Sequence, residues 1–255
     1  TLAGAKRPDG SVQPVTRNMI NTALGILAGF PPAESIEELR VLGIDASALD
    51  NATPDDIVII SFSGHGWADK EGNFFLVPSD GKWATGEAMP VTDTLISAAD
   101  LTMWLRAMTA ADIVFIIDAC HSGASVDAGS FKPGPMGDSG LGQLSFDKGV
   151  RILAATQAND VALESSALGQ GLLTAALAEG LTQTGEVRLD AWLRYAVKRL
   201  PSLGLAARSG AGSPAGARGF TISNRAPASS TKVQEPVLFD FNKAPSTVVL
   251  KAKRQ

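Results

Sequence analysis

Two apolar runs constrain this chain more than any other feature. Asp56-Ile57-Val58-Ile59-Ile60-Ser61-Phe62 leads into Ser63-Gly64-His65-Gly66, and Asp112-Ile113-Val114-Phe115-Ile116-Ile117 leads into Asp118-Ala119-Cys120-His121-Ser122-Gly123. Each run has strand length and lacks polar alternation, as strands covered on both faces require. The long connection between them contains a helical pattern, with Ser97 as its cap and Leu101, Trp104, Leu105 and Met108 on one face. Antiparallel neighbours need only a tight turn, whereas a helical crossover of this length joins parallel strands. The runs therefore predict parallel strands, 56–62 and 112–118, in an α/β sheet. In such sheets the functional groups gather at the carboxyl ends of the strands. That edge receives His65 and Cys120, the latter the only cysteine of the chain.

The remaining pattern supplies the layers around that pair. Residues 1–14 read as loop, with a turn at Pro8-Asp9-Gly10. Thr16 caps a helix carrying Met19, Ile20, Ala23, Leu24 and Leu27, which Pro31-Pro32 stops. Ser35 and Glu38 form a capping box for a short helix ended by Gly43. Asn73 to Val77 is a short strand in a hairpin at the sheet edge, and residues 81–94 are loop-like. Residues 123–148, rich in Gly, Pro and Ser, read as a long functional loop. A third buried strand follows over Val150–Ala155, then a helix near Ser166–Leu181. An amphipathic helix over 189–200 is stopped by Pro201. Residues 202–232 have the composition of a flexible connector. Val237-Leu238-Phe239, behind Pro236, is an edge strand. The chain thus divides into a core over 1–201, a connector over 202–232, and a closing strand and tail of the same domain over 233–255.

Composition removes several classes of function. Twenty-two basic residues against 26 acidic ones, net −4, argue against nucleic acid as the main partner. A single cysteine leaves no internal disulfide framework and fits a reducing, cytoplasmic setting. No apolar stretch approaches the roughly 20 residues needed to span a bilayer. Neither buried strand is followed by a glycine-rich phosphate loop, since Gly210-Ala211-Gly212 falls in the connector. Cys120 and His121 lack the further Cys or His ligands of a zinc site.

A thiol attacks as thiolate, so a catalytic cysteine needs a group to take its proton or lower its pKa. His65 is the only histidine remote in sequence that can do so. His121 adjoins Cys120, and adjacent side chains on an extended segment point opposite ways. With an acyl substrate, the backbone N–H groups of Gly66 and Cys120 would face the developing oxyanion. Taken singly, a cysteine in an apolar run is most often a small buried hydrophobe, and a histidine near a strand end is more often structural. Their matched placement favours chemistry. Asp118, two positions before Cys120, points to the same strand face. One reading has it held by backbone amides near the strand end, touching no substrate.

Ser63-Gly64-His65-Gly66 and Asp118-Ala119-Cys120-His121-Ser122-Gly123 together resemble the two signatures of the caspase-like cysteine peptidases, particularly the metacaspase and orthocaspase branches. The spacing from His65 to Cys120 is close to the roughly 50 residues found in caspases. Phe75-Leu76-Val77-Pro78-Ser79-Asp80, Ala162-Leu163-Glu164-Ser165 to Leu172-Leu173-Thr174, and Gln234-Glu235-Pro236-Val237-Leu238-Phe239 resemble further family segments. The resemblance runs from about Val15 to Phe239.

The resemblance implies a caspase–haemoglobinase-like three-layer sandwich with a mostly parallel central sheet. It also implies an endopeptidase working through a thioester, with Cys120 attacking, His65 moving the proton, and the Gly66 and Cys120 amides holding the oxyanion. Asp118, helped by Ser63, would line a pocket for Arg or Lys at P1, the residue before the cleaved bond. The chemistry needs no metal, and the scattered aspartates neither support nor exclude the calcium activation known among metacaspases. Partners would be protein or peptide substrates, and relatives are often fused to sensing or repeat modules. Two departures stand out. The strand and helix with which family members begin are not found before Val15, so they would lie upstream or on another polypeptide. The 123–148 loop is where relatives are cut, and it offers Lys132 and Lys148 as self-cleavage sites. The alternative is a catalytically silent caspase-like scaffold or regulatory module.

Overall fold

Both apolar runs extend further as strands than their apolar residues alone predict. In the computed structural model, which describes residues 14–30, 35–41, 49–69, 71, 73–84, 90–121, 139–155, 164–165, 170–209 and 236–252, β1 spans Ile57–Ala68 and β4 spans Asp112–His121. The expected ends at 62 and 118 are therefore too early. The cause is pairing: β1 and β4 lie parallel and in register from Ile57↔Asp112 to Gly66↔His121, so ladder bonds carry the extended backbone through the glycines of the first motif. Beyond that, β2 (Phe74–Val77) pairs antiparallel with β1 over His65–Ala68, and β3 (Ile96–Ser97) pairs antiparallel with β2. On the other side β5 (Arg151–Ala154) runs parallel to β4, and β9 (Val237–Phe239) closes the sheet antiparallel. The order is β3-β2-β1-β4-β5-β9. The predicted parallel core is present in β1, β4 and β5, and the sheet is mixed because both of its flanks are antiparallel.

The helices cover the two faces unequally. Thr16 caps α1 (Arg17–Leu27), accepting from the Met19 amide, and Ser97 with Asp100 forms a capping box for α3 (Ala98–Ala107). These helices and α4 (Ser139–Lys148) bury Leu24, Leu101, Trp104, Leu105, Leu141 and Leu144 against Val58, Phe115, Ile117 and Ile152. The short α2 (Ser35–Val41) adds Leu39 against Met19 and Ile26. On the opposite face, α5 (Leu172–Thr184) and α6 (Leu189–Ser209) pack Leu173, Ala176, Trp192, Leu193 and Ala196 on Val114, Ile116 and Leu153. This makes three layers. The second helical layer covers β4 and β5 but leaves one face of β1 open: Ile57 and Ile59 are 44% and 40% exposed, and Ser61, Ser63 and His65 on the same face are exposed as well. Among the described residues the outer edge of β1 is paired only over His65–Ala68.

Three sequence expectations are corrected here. Residues 139–148 form α4 rather than the end of a loop, because Leu141, Leu144 and Ser145 are fully buried at helical spacing, with the Ser145 hydroxyl donating to the Val150 carbonyl at 2.6 Å. The helix expected near Ser166 begins at Leu172, after a small ladder of β6 (Glu164–Ser165) and β7 (Gln170–Gly171). Pro201 does not end α6, which continues to Ser209 and takes residues 202–209 from the expected connector. Leu203 packs on the same apolar cluster as Leu200, so burial outweighs the roughly 3 kcal/mol a helix-interior proline costs. One further ladder, β8 (Glu186–Arg188) with β10 (Val249–Lys251), places Lys251 of the expected tail in a strand, its ammonium 3.3 Å from Glu186. The Gly43 helix end, residues 210–232 of the connector and residues 233–235 of the closing segment lie outside the described residues, as do the side chains of Ser35 and Glu38.

The end of the sheet where the parallel strands begin is held by charge. Arg151, 3% exposed, forms an ion pair with Asp112 and lies 3.5 Å from Asp240, which also meets Arg194. Asp112 in turn accepts from the Ser246 hydroxyl at 3.0 Å. The first residues of β4 and β5 are thereby tied to the segment after β9, far from the edge where the strands deliver His65 and Cys120.

Candidate active site

The register of β1 on β4 decides the geometry of the site. His65 and Cys120 are directly paired across adjacent parallel strands, whose backbones lie about 4.8 Å apart. Ser63 and Asp118 form the pair two positions earlier in the same ladder. One strand pair thus brings four of the predicted site residues into two rungs separated by the Gly64↔Ala119 rung. His65 and Ser63 are exposed on the uncovered face of β1. His65 is also flanked on its other side by Val77 of β2, so its backbone is held between two strands. Gly66 is buried one position further, opposite His121 and Leu76.

Asp118 differs from Ser63 and His65 in being almost completely buried, with 6% of its surface exposed. Its Oδ2 accepts from the Thr174 hydroxyl at 2.6 Å and from the Thr174 amide at 3.1 Å. An N–H in the first turn of a helix has no intrahelical partner, so this carboxylate serves α5 as a cap donated from another strand. Of the two readings of Asp118, the one holding it by backbone amides thus describes one of its oxygens, with a hydroxyl added. Thr174 and Gly171 are the residues that sequence reasoning did not assign to the site. The available signal was a helix preceded by glycine: such a helix start has no capping side chain, which points to a cap from elsewhere.

The two proposed cleavage lysines have different surroundings. Lys132 lies outside the described residues. Lys148 is the last residue of α4, and its ammonium donates to the carbonyls of Arg106 and, at 2.8 Å, Met108 at the end of α3. Partial burial and the nearby Arg106 charge hold its pKa below the ordinary lysine range. It is a helix-joining residue.

Among the described residues no cluster of three or more His, Cys, Asp or Glu is arranged to hold a metal ion, and no helix is long and apolar enough to cross a membrane. The family model of the caspase domain matches residues 35–215, a span that contains β1, β4 and the start of α5. No curated protein sequence matches the chain.

Proposed function

The chain belongs to the caspase-domain family, and from that premise we propose that it is a cysteine endopeptidase of the metacaspase/orthocaspase type acting through a Cys120/His65 dyad. The observation that carries this reading is the in-register pairing of His65 with Cys120 on neighbouring parallel strands. Cys120 attacks the scissile carbonyl as thiolate, His65 takes the thiol proton and returns it to the leaving amine, and water hydrolyses the thioester. The amides of Gly66 and Cys120 stabilise the oxyanion. The chemistry calls for no metal, and calcium would act only as an activator.

Asp118 is proposed to select Arg or Lys at P1 by charge-assisted hydrogen bonding, with Ser63 beside it in the ladder. Self-cleavage is assigned to the segment around Lys132, since cutting at Lys148 would require the last turn of α4 to open. Ile57 and Ile59, exposed on a central strand, support completion of the sheet by a further strand and helix, upstream or on another polypeptide.

The test uses Cys120→Ala and His65→Ala beside the wild type, with reporter peptides carrying Arg, Lys or Asp at P1. Wild type cleaves the Arg and Lys reporters, and either substitution lowers the rate by at least about 10²-fold. A thiol-reactive Arg peptide labels wild type and not Cys120→Ala. A folded wild type that neither cleaves nor labels would instead favour the silent scaffold, and preferential cleavage after Asp would remove the role given to Asp118. Mass spectrometry of both proteins should find fragments ending at Lys132 only in the wild type; identical fragments would exclude self-cleavage.

A further inference from the structure

The start of α5 is built to receive a side chain from another element. Its N-cap position is Gly171, which makes no side-chain cap bond, and its first turn contains no acidic residue. The missing acceptor is supplied by Asp118 of β4, through two bonds to the single residue Thr174. The approach is close enough to constrain Gly171 itself: a Cβ there would lie 2.2 Å from Oδ2, 2.7 Å from Cγ and 2.8 Å from Oδ1 of Asp118. The 2.6 Å hydroxyl contact falls in the short range of hydrogen bonds to ionised carboxylates. A free aspartate at a strand end rotates about two side-chain torsions. Here an amide and a hydroxyl from one residue hold one oxygen, and the backbone of Gly171 bounds the carboxylate on that side.

We propose that Thr174 is a positioning residue for substrate selection: by holding one oxygen of Asp118 it sets where that carboxylate stands relative to a basic P1 side chain. The proposal rests on the reading of Asp118 as the P1 selector. Thr174 touches no substrate and acts through Asp118. A loss of its hydroxyl therefore weakens binding of Arg substrates and leaves the reactivity of the Cys120 thiol alone.

The experiment compares wild type with Thr174→Val, Thr174→Ser and Asp118→Asn. It measures kcat and KM on an Arg reporter, and the rate of Cys120 alkylation by iodoacetamide, which has no P1 group. Thr174→Val is expected to raise KM about tenfold, the scale of one charge-assisted hydrogen bond, with kcat and alkylation close to wild type. Thr174→Ser restores KM. If Thr174→Val fails to fold, Thr174→Ala, which keeps the amide and favours the helix, carries the same readout. An unchanged KM overturns the proposal, as does a fall in alkylation and kcat matching the change in KM, because either result confines Thr174 to holding the fold. Asp118→Asn separates the two layers. If it keeps the wild-type preference for Arg over Asp reporters, the P1 reading fails and takes this proposal with it. If it loses that preference while Thr174→Val does not change KM, only the role of Thr174 falls.

Discussion

Replacing Gly171 with alanine tests how tightly β4 and α5 are joined beneath the site. The added Cβ would meet Asp118 Oδ2 at 2.2 Å and two further carboxylate atoms within 2.8 Å. Carbon and oxygen atoms do not approach so closely without bonding, so the carboxylate or the start of α5 must move by roughly 1 Å. A shift of that size removes or badly weakens both bonds to Thr174, now 2.6 and 3.1 Å long. Each hydrogen bond to a charged group is worth about 1.5–3 kcal/mol. Asp118 is nearly inaccessible, so water can replace them only in part, and a net loss of about 3 kcal/mol is expected. For a domain of this size that lowers Tm by roughly 6–12 °C. The comparison is Gly142→Ala in α4, where an added Cβ meets no atom within 4 Å and alanine should stabilise by about 0.5–1 kcal/mol. Thermal unfolding followed by circular dichroism reads both. A Gly171→Ala protein melting within about 2 °C of wild type would refute the claim that Asp118 and α5 are in fixed contact.

Two further outcomes follow from the packing of α5 and α6. Burial alone would raise the Glu179 carboxyl, but hydrogen bonds from Arg199, Tyr195 and Gln183, together with the Arg199 charge, outweigh it and leave its pKa below the ordinary glutamate value. A depressed folded-state pKa stabilises above the unfolded value of about 4.3, and that increment disappears as the pH falls through the folded value. Urea unfolding should therefore find Glu179→Gln less stable than wild type at pH 7, with the gap closing in acid; a gap that widened below pH 4 would contradict the assignment. Pro201→Ala should raise Tm, since it removes a helix-interior penalty of about 3 kcal/mol against an unfolded-state gain of up to about 1 kcal/mol. A lower Tm would mean that α6 depends on the proline at that point.

The parts of the fold that were legible in the sequence are those in which local pattern and tertiary demand agree. The two apolar runs announced a parallel pair, Thr16 and Ser97 announced helix starts, and Pro236 marked an edge strand. The α4 segment was illegible because, among its described side chains, only Leu141, Leu144 and Ser145 are buried, in a stretch of weak helical propensity. It is α3 lying alongside that makes their burial worthwhile. Pro201 misled for the same reason, as Leu203 continues an apolar face beyond a residue that ordinarily ends helices. Residues 57, 59 and 61 read as doubly covered, yet α5 and α6 sit over β4 and β5 and leave that face of β1 exposed.

The site divides along the same line. The sequence by itself determined that a histidine and a lone cysteine follow two apolar strand runs, and the crossover between them required those strands to run parallel, because a right-handed connection through a helix returns the chain in the same direction. What only the tertiary structure decided is the register that sets His65 against Cys120 and Ser63 against Asp118, and the company that Asp118 keeps. Register is set by burial summed along the whole ladder, from the rungs below the site up to Ala119 and Asp118 of the motif. The cap on α5 needs a carboxylate and a helix start that are distant in the chain and become neighbours only when α5 packs on β4 and β5.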